Sequence, residues 1–531
     1  MRSVAARWKW PLALVACLVA AGLRSVHAGL DVNWDLKNYH FYNAYAFLNG
    51  RLGWDIAPAQ LQTYFNPLLD LPFYFLVEAI PSPRIIAFVM AAATGVAAFA
   101  LLRMLVVLFP RGRQDRAIWI ALAFAIGVTG SMGLSVIGAT MNEWPPAMML
   151  MVSLAALAAS IAKRGSPSIL AIGIAGVITG IAVGLKLTYG VFGMGLIAAA
   201  ASSGTLRARA RQAIAMAGFL FVGFMLSYGL WGAILYEHFA NPFFPHFNGI
   251  FKSPWWEPVD YFDRNYGPRD FWQALFFPIY LARDYKLVSE VSFRDWRLAT
   301  LFVVAVLAAV RYVARDRSAR KPYLTPFPGK SYLTPFSAPW KFIAVFTLVS
   351  YVIWLKVFGI YRYLVPLEML SGPLIVGGVL YLVRGVNARR AAIALVAILL
   401  IGTTREASWG RMPFGDAYFD VGVPEVAPRS LVILEPYEPM SYVIPFFRSD
   451  TRFVSPWNNF LHFSQQNRLS KQIRDVVAAH PGPIYTLELR GRDNVNAVLQ
   501  SYGLARDENT CLPIRSGVDP SMMRICKVNR R

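Results

Sequence analysis

The chain has 531 residues, 56% hydrophobic and only 15% charged, with a mean hydropathy of +0.44. That balance excludes a water-soluble protein of this size, because so much apolar chain needs long segments buried in lipid. The net charge of +22 does not point to nucleic acid, since the excess Lys and Arg sit in short loops between apolar runs, where membrane topology accounts for them.

A bilayer-crossing helix needs roughly 20 apolar residues, because lipid offers no partner to a backbone amide. A first run lies at 12–23, preceded by Arg2, Arg7 and Lys9 and followed by Val26-His27-Ala28. It reads either as a cleavable signal peptide or as a retained first helix, and the chain emerges near Gly29 in both cases. Further runs follow at 85–109, 118–137, 146–162, 169–185, 187–201, 213–236, 298–313, 342–358, 364–383 and 391–402. The expected fold is mainly α, a polytopic membrane protein with about 11 transmembrane helices and a small α/β soluble carboxy-terminal domain.

Alternate loops collect Arg111, Arg113 and Arg116; Lys163 and Arg164; Arg207, Arg209 and Arg211; Arg315, Arg317, Arg320 and Lys321; and Arg384, Arg389 and Arg390. Basic loops face the cytoplasm, and so does the amino terminus. The expected location is the inner or plasma membrane. An odd number of crossings then places residues 404–531 in the periplasm or its equivalent, with 1–403 as the membrane domain.

The outer segments 29–84 and 237–297 are long, which puts function outside. In the tail, extended runs at 431–435 and 484–489 alternate with helical stretches at 463–479 and 494–502. Cys17 falls in the first apolar run, as a buried inert thiol. Cys511 and Cys526 lie in the tail, where an oxidising compartment would join them in a loop-closing disulfide worth about 3 kcal/mol. The alternative is two unpaired thiols at the domain edge. A repeat, Tyr323-Leu-Thr-Pro-Phe and again Tyr332-Leu-Thr-Pro-Phe, reads as a duplication in a flexible inside linker.

Chemistry is expected first in the segment from Asp31 through Asp35, Tyr39 and His40 to Gly50. If it is helical, Asp31 and Asp35 share a face at i,i+4, and two like charges there need a cation. A solvated loop with an aromatic belt is the plainer reading. Next, Tyr64-Phe-Asn66-Pro67-Leu-Leu-Asp70 opens a short amphipathic stretch that lies in the interface before Arg84.

These residues carry a resemblance. Asp35 with Tyr39 after the first span, the Asn-Pro-Leu-Leu segment and Arg84 resemble the GT-C superfamily of membrane glycosyltransferases, especially its lipid A aminoarabinose and protein O-mannosyl transferase branches. Met141-Asn142-Glu143 resembles the second acidic site of that superfamily, where Asp is commoner. Gly180-Ile-Ala-Val-Gly-Leu-Lys186 resembles its glycine-rich helix ending in a cation, and Tyr361-Arg362-Tyr363-Leu-Val-Pro366 its Arg-Tyr motif. The likeness covers roughly residues 1–403, and Asn66-Pro67-Leu68 stands where a paired-proline segment is more familiar.

The resemblance implies a polyprenyl-phosphate-linked sugar donor, a lipid, glycan or protein acceptor, and transfer with inversion beside the membrane lipids. Asp35 is then the expected general base and Asp31 its reserve. Lys186, Arg362 and Arg84 are the expected clamp on the departing phosphate, their alternative being side chains that snorkel to headgroups. Tyr39, His40, Asn66 and Lys252 are expected sugar or acceptor contacts. Glu143 either binds a divalent cation, Mg or Mn, with Asp35 or positions the acceptor; its plainer reading is helix-start polarity.

In the second long loop, aromatics alternate with Lys252, Arg264 and Arg269, which suits sugars and lipid phosphates as well as it suits an interfacial belt. His238 and His246 have no acidic partner at ligand spacing, so no zinc site is read there. The chain has no Walker loop and no nucleophile elbow, which argues against an ATP-driven pump or a covalent hydrolase. The rival readings are a secondary transporter or flippase of lipid-linked sugars, an envelope polysaccharide ligase or polymerase, and a non-catalytic scaffold. A transporter would show inverted repeats and charges at mid-membrane, neither of which is evident.

Overall fold

A computed structural model of the protein describes residues 4–531 apart from 111, 113, 114, 261–264, 315–336 and 493. Arg2, Arg111, Arg113, Arg264, Arg315, Arg317, Arg320, Lys321 and the duplicated pentapeptide lie outside the described residues.

Among the described residues, seven helices are long and apolar enough to cross a membrane: Trp8–Ala28, Pro83–Leu108, Trp144–Arg164, Leu206–Phe239, Ala338–Val357, Tyr361–Leu382 and Val386–Thr403. The remaining runs form shorter helices, Arg116–Val128, Ile169–Leu185, Leu187–Ala200 and Arg297–Val313. The expected count of about eleven is therefore not reached by length alone.

The run at 118–137 shows why. Fully buried Arg297 donates from Nε to Ile126 O at 2.9 Å and from NH2 to Thr129 O at 2.6 Å, so carbonyls that would accept the next helical turn are already taken. The Glu368 carboxylate accepts from the amides of Met132 and Gly133, at 3.1 and 2.8 Å, and so caps a separate short helix, Ser131–Ser135.

Tyr361–Leu382 is the central helix, 83% buried, whereas Val386–Thr403 is 17% buried and peripheral. Ile169–Leu185 packs closely on Leu206–Phe239 through Gly176, Gly180 and Gly184, one every helical turn. A Cβ on Gly180 would stand 2.1 Å from Leu220 O, and one on Gly223 would stand 2.1 Å from Val177 O. Only glycine permits that approach. It fixes where the helix ends and Lys186 begins.

The tail builds a sheet in the spatial order Arg452–Val454, Leu431–Leu434, Ile484–Leu489, Met523–Arg530, Leu504–Arg506, with Leu512–Ile514 also on Met523–Arg530. The first three strands are parallel and Met523–Arg530 is antiparallel to its neighbours. Leu431 registers with Arg452 on one side and Ile484 on the other. The helix Arg468–Ala479 makes the crossover, capped by the Asn467 side chain. Cys511 and Cys526 are joined in a disulfide.

The sheet region does not have a core of its own. Phe41 and Tyr42, from the segment 29–84 after the first apolar helix, are buried with Val432, Phe419 and Tyr442, and Ile56, Leu61 and Tyr64 with Leu431, Ile433 and Val454. Arg51 pairs with Asp55 at 2.6 Å and also donates to Ser449 O and Thr451 O, at 2.9 and 2.6 Å. Strand Leu30–Asp31 pairs with Arg411–Met412. Residue 403 thus marks the end of the apolar helices, while the packing runs straight across it.

Candidate functional site

The segment after Gly29 begins as the strand Leu30–Asp31, and only then does Asn33 start a helix by accepting Leu36 N on its side chain at 2.8 Å. Its first turns are π-helical at Leu36–His40, a widened geometry common at functional sites. Asp31 and Asp35 therefore do not share a helical face, contrary to the i,i+4 expectation. The Asp31 carboxylate accepts from Asn33 Nδ2, Thr140 N and Thr140 Oγ1 at 2.8 to 2.9 Å, which leaves it a saturated structural brace.

Asp35 and Tyr39 face a cavity of about 560 Å³. Also on its lining are His40, Gln62, Phe65, Asn66, Asp70, Asn142, Lys186, His246, Arg362, Tyr363 and Asn459. Arg362 sits in the turn Tyr361–Leu364, at the start of the central helix. Its NH1 donates to Asp35 Oδ2 at 3.0 Å and its Nε lies 3.6 Å from Glu143 Oε1. The guanidinium is 5.4 Å from the Trp409 ring centre and 5.7 Å from that of Tyr363.

Lys186, in extended backbone just past Leu185, donates to Glu143 Oε1 at 2.7 Å and Met141 O at 3.0 Å. Glu143 Oε2 is buried with no partner among the described residues. The four side chains Asp35, Glu143, Lys186 and Arg362 form a charge-balanced cluster.

Beside it stands a second group. Asp70 Oδ1 accepts from His40 Nδ1 at 2.7 Å and from Asn142 Nδ2 at 2.6 Å. Asn142 Nδ2 also lies 3.1 Å from His40 Nδ1, and His40 Nε2 is buried without a partner among the described residues. Burial pushes the Asp70 carboxyl above its usual range, against the opposing pull of His40, Asn142 and Lys186. Burial, with the Asp35 charge adding to it, pushes the Tyr39 phenol well up, so Tyr39 is a neutral donor. Burial pushes His246 down to about 4, leaving a neutral ring stacked 5.8 Å from Phe65.

No family model and no curated protein matches this chain. The site is therefore read from its own geometry.

Of the residues singled out in the sequence, the cavity brings together Asp35, Tyr39, His40, Asn66, Lys186 and Arg362, with Glu143 behind the two cations. Asn66 donates to Gly184 O and Ser227 O, both at 2.9 Å, and so ties the cavity wall to the glycine-packed helices. Arg84 is exposed elsewhere, over the Phe414 ring at 5.2 Å. Lys252 is exposed at the end of the short helix Asn248–Phe251 and is not on the lining.

A divalent cation between Asp35 and Glu143 does not fit this arrangement, because the fixed positive charge of Arg362 already stands between the two carboxylates. Among the described residues, one His/Cys/Asp/Glu group has ligand spacing, Glu488 with Cys511 and Cys526, and its sulfurs are bonded to each other. Sequence reasoning missed Asp70, Gln62, Asn142 and Asn459 as site residues. Asp70 had one signal, an acid within an apolar run; the amides had none.

Proposed function

We propose that the protein is a glycosyltransferase that moves a sugar from a polyprenyl-phosphate donor to a hydroxyl or amine acceptor at the outer membrane surface, with inversion at the anomeric carbon. The observation that carries this reading is the Lys186–Glu143–Arg362–Asp35 cluster opening on a cavity of about 560 Å³ that is also lined by aromatic, amide and aliphatic side chains and by the acids Asp70, Asp260 and Glu290. Cations held ready beside a carboxylate suit a reaction whose leaving group is a phosphate.

The reading extends to topology. The seven long helices and the four shorter ones together make about eleven crossings, with the amino terminus in the cytoplasm and the sheet region outside. Asp115 and Arg390, from two loops assigned to the cytoplasmic side, pair at 2.6 Å.

In the free protein the Asp35 carboxylate is held by Arg362. An arriving donor phosphate competes for that guanidinium and for Lys186, and its binding frees Asp35 to accept the proton of the acceptor. The nucleophile then bonds to the anomeric carbon as the carbon–oxygen bond to phosphate breaks. The bonding pair stays on the phosphate, beside Arg362 and Lys186, and the proton goes to Asp35.

Mass spectrometry of lipids that copurify with the protein tests the donor class, and a polyprenyl phosphate is the expected finding. Asp35→Asn is expected to abolish transfer while leaving membrane insertion intact; normal transfer by that variant would overturn the base assignment.

A further inference from the structure

One wall of the cavity is built from amides and rings, with Asp260 on the lining near His246. Gln62, in the turn Gln60–Tyr64, accepts on Oε1 from Asn38 Nδ2 at 3.3 Å and from Asn459 Nδ2 at 3.1 Å. Its Nε2 is left without a partner among the described residues, on the lining of the cavity.

Asn459 comes from the far end of the chain, in the crossover between strand Arg452–Val454 and helix Arg468–Ala479. Its orientation is locked. The Oδ1 accepts from Leu61 N at 3.1 Å, and the Asn459 main-chain N–H donates to Gln60 Oε1 at 3.3 Å. The preceding Asn458 folds the loop by accepting from Phe460 N and Leu461 N at 3.1 and 2.9 Å. Three positions along from Gln62, Phe65 stacks with the neutral His246 and gives a flat apolar face. Asn66 then joins this wall to Gly184, two residues before Lys186.

The chemistry divides along the cavity. Phosphate is met by Lys186 and Arg362. Carboxamides offer donors and acceptors without charge, which matches hydroxyl groups that both give and take hydrogen bonds, and a flat ring face matches the C–H face of a pyranose.

We propose that Gln62 and Asn459, with the Phe65–His246 face, form the subsite that recognises the hydroxyls of the transferred sugar. The sheet region thereby contributes directly to donor specificity. This rests on the lipid-phosphosugar reading, and the test separates the two.

The full-length protein in nanodiscs is titrated with bare decaprenyl phosphate and with a panel of decaprenyl-phosphate-linked hexoses, pentoses and amino sugars. At least one sugar-bearing lipid is expected to bind about 10-fold tighter than the bare phosphate, an increment of about 1.4 kcal/mol. Gln62→Ala and Asn459→Ala are each expected to remove most of that increment while bare phosphate still binds through Lys186 and Arg362. Gln62→Glu keeps the acceptor for Asn38 and Asn459 but loses the free donor, so it loses the increment with the wall intact.

An increment that survives all three variants overturns the subsite. Equal losses for bare and sugar-bearing lipids also overturn it, because these residues would then only hold the wall. Failure of wild-type protein to bind even bare decaprenyl phosphate sinks the lipid-phosphate reading instead.

Discussion

Arg362 donates to the Asp35 carboxylate at 3.0 Å across 327 positions of sequence, and the same guanidinium lies 3.6 Å from Glu143. One cation thus holds two acids that belong to different segments of the chain. Removing one partner of a part-buried pair strands the other, at a cost on the order of 3–5 kcal/mol. Arg362→Ala is expected to lower transfer by at least about 100-fold. Arg362→Lys should recover little of it, because an ammonium cannot reach both carboxylates while lying between Tyr363 and Trp409. Steady-state transfer and decaprenyl phosphate affinity, measured on both variants, check this. A fully active lysine variant would contradict the bridging role.

Asp70 is the common acceptor for His40 Nδ1 and Asn142 Nδ2. Asp70→Ala leaves two buried donors without an acceptor, each costing about 1–3 kcal/mol. Thermal unfolding in detergent is expected to fall by several degrees, with activity lost as well. His40→Ala alone should cost less, because Asp70 keeps the Asn142 donor. Equal destabilisation by the two variants would mean that the shared acceptor does not organise this group.

Much of this site was legible because charge is conspicuous in an apolar chain. Lys186 and Arg362 interrupt hydrophobic runs, and Asp35 follows one, so their unusual placement shows without coordinates. The shared face that Asp31 and Asp35 would have on a helix does not form, because a two-residue strand paired with Arg411–Met412 precedes the Asn33 cap. Asn459 and Gln62 were invisible, since their meaning comes from a contact spanning 397 positions and amides are ordinary in any loop. Helix lengths failed for a similar reason: the break near Thr129 is made by Arg297, from a distant part of the chain.

The approach of Ile169–Leu185 to Leu206–Phe239 sets the position of Lys186, and Gly180 and Gly223 are its two tightest points. A valine at position 180 would drive a Cβ to 2.1 Å from Leu220 O, so the helices must separate. Gly180→Val is expected to lower thermal stability and to weaken bare decaprenyl phosphate binding through displacement of Lys186. Gly190, which has open space around it, supplies the control. Gly190→Ala should leave both readouts near wild type.

Glu435 supplies a pH dependence in the sheet region. It follows strand Leu431–Leu434 with its carboxylate buried, and its main-chain amide donates to Leu487 O at 2.8 Å. Burial, with the Glu488 and Glu438 charges adding to it, pushes its carboxyl up to about 7 from an ordinary 4.5. The folded state therefore holds a proton that the unfolded chain has already released between those two values. Stability from this group is present in full below about 4.5 and is lost as pH rises through about 7, a change of about 3 kcal/mol. Limited proteolysis of the full-length protein on a temperature ramp, at steps from pH 5 to pH 8, reports unfolding of this region. Wild-type protein should melt at progressively lower temperature as pH rises across that window. Glu435→Gln, neutral throughout, should show a much flatter profile. A wild-type profile as flat as that of the glutamine variant would show that Glu435 ionises without cost in the fold.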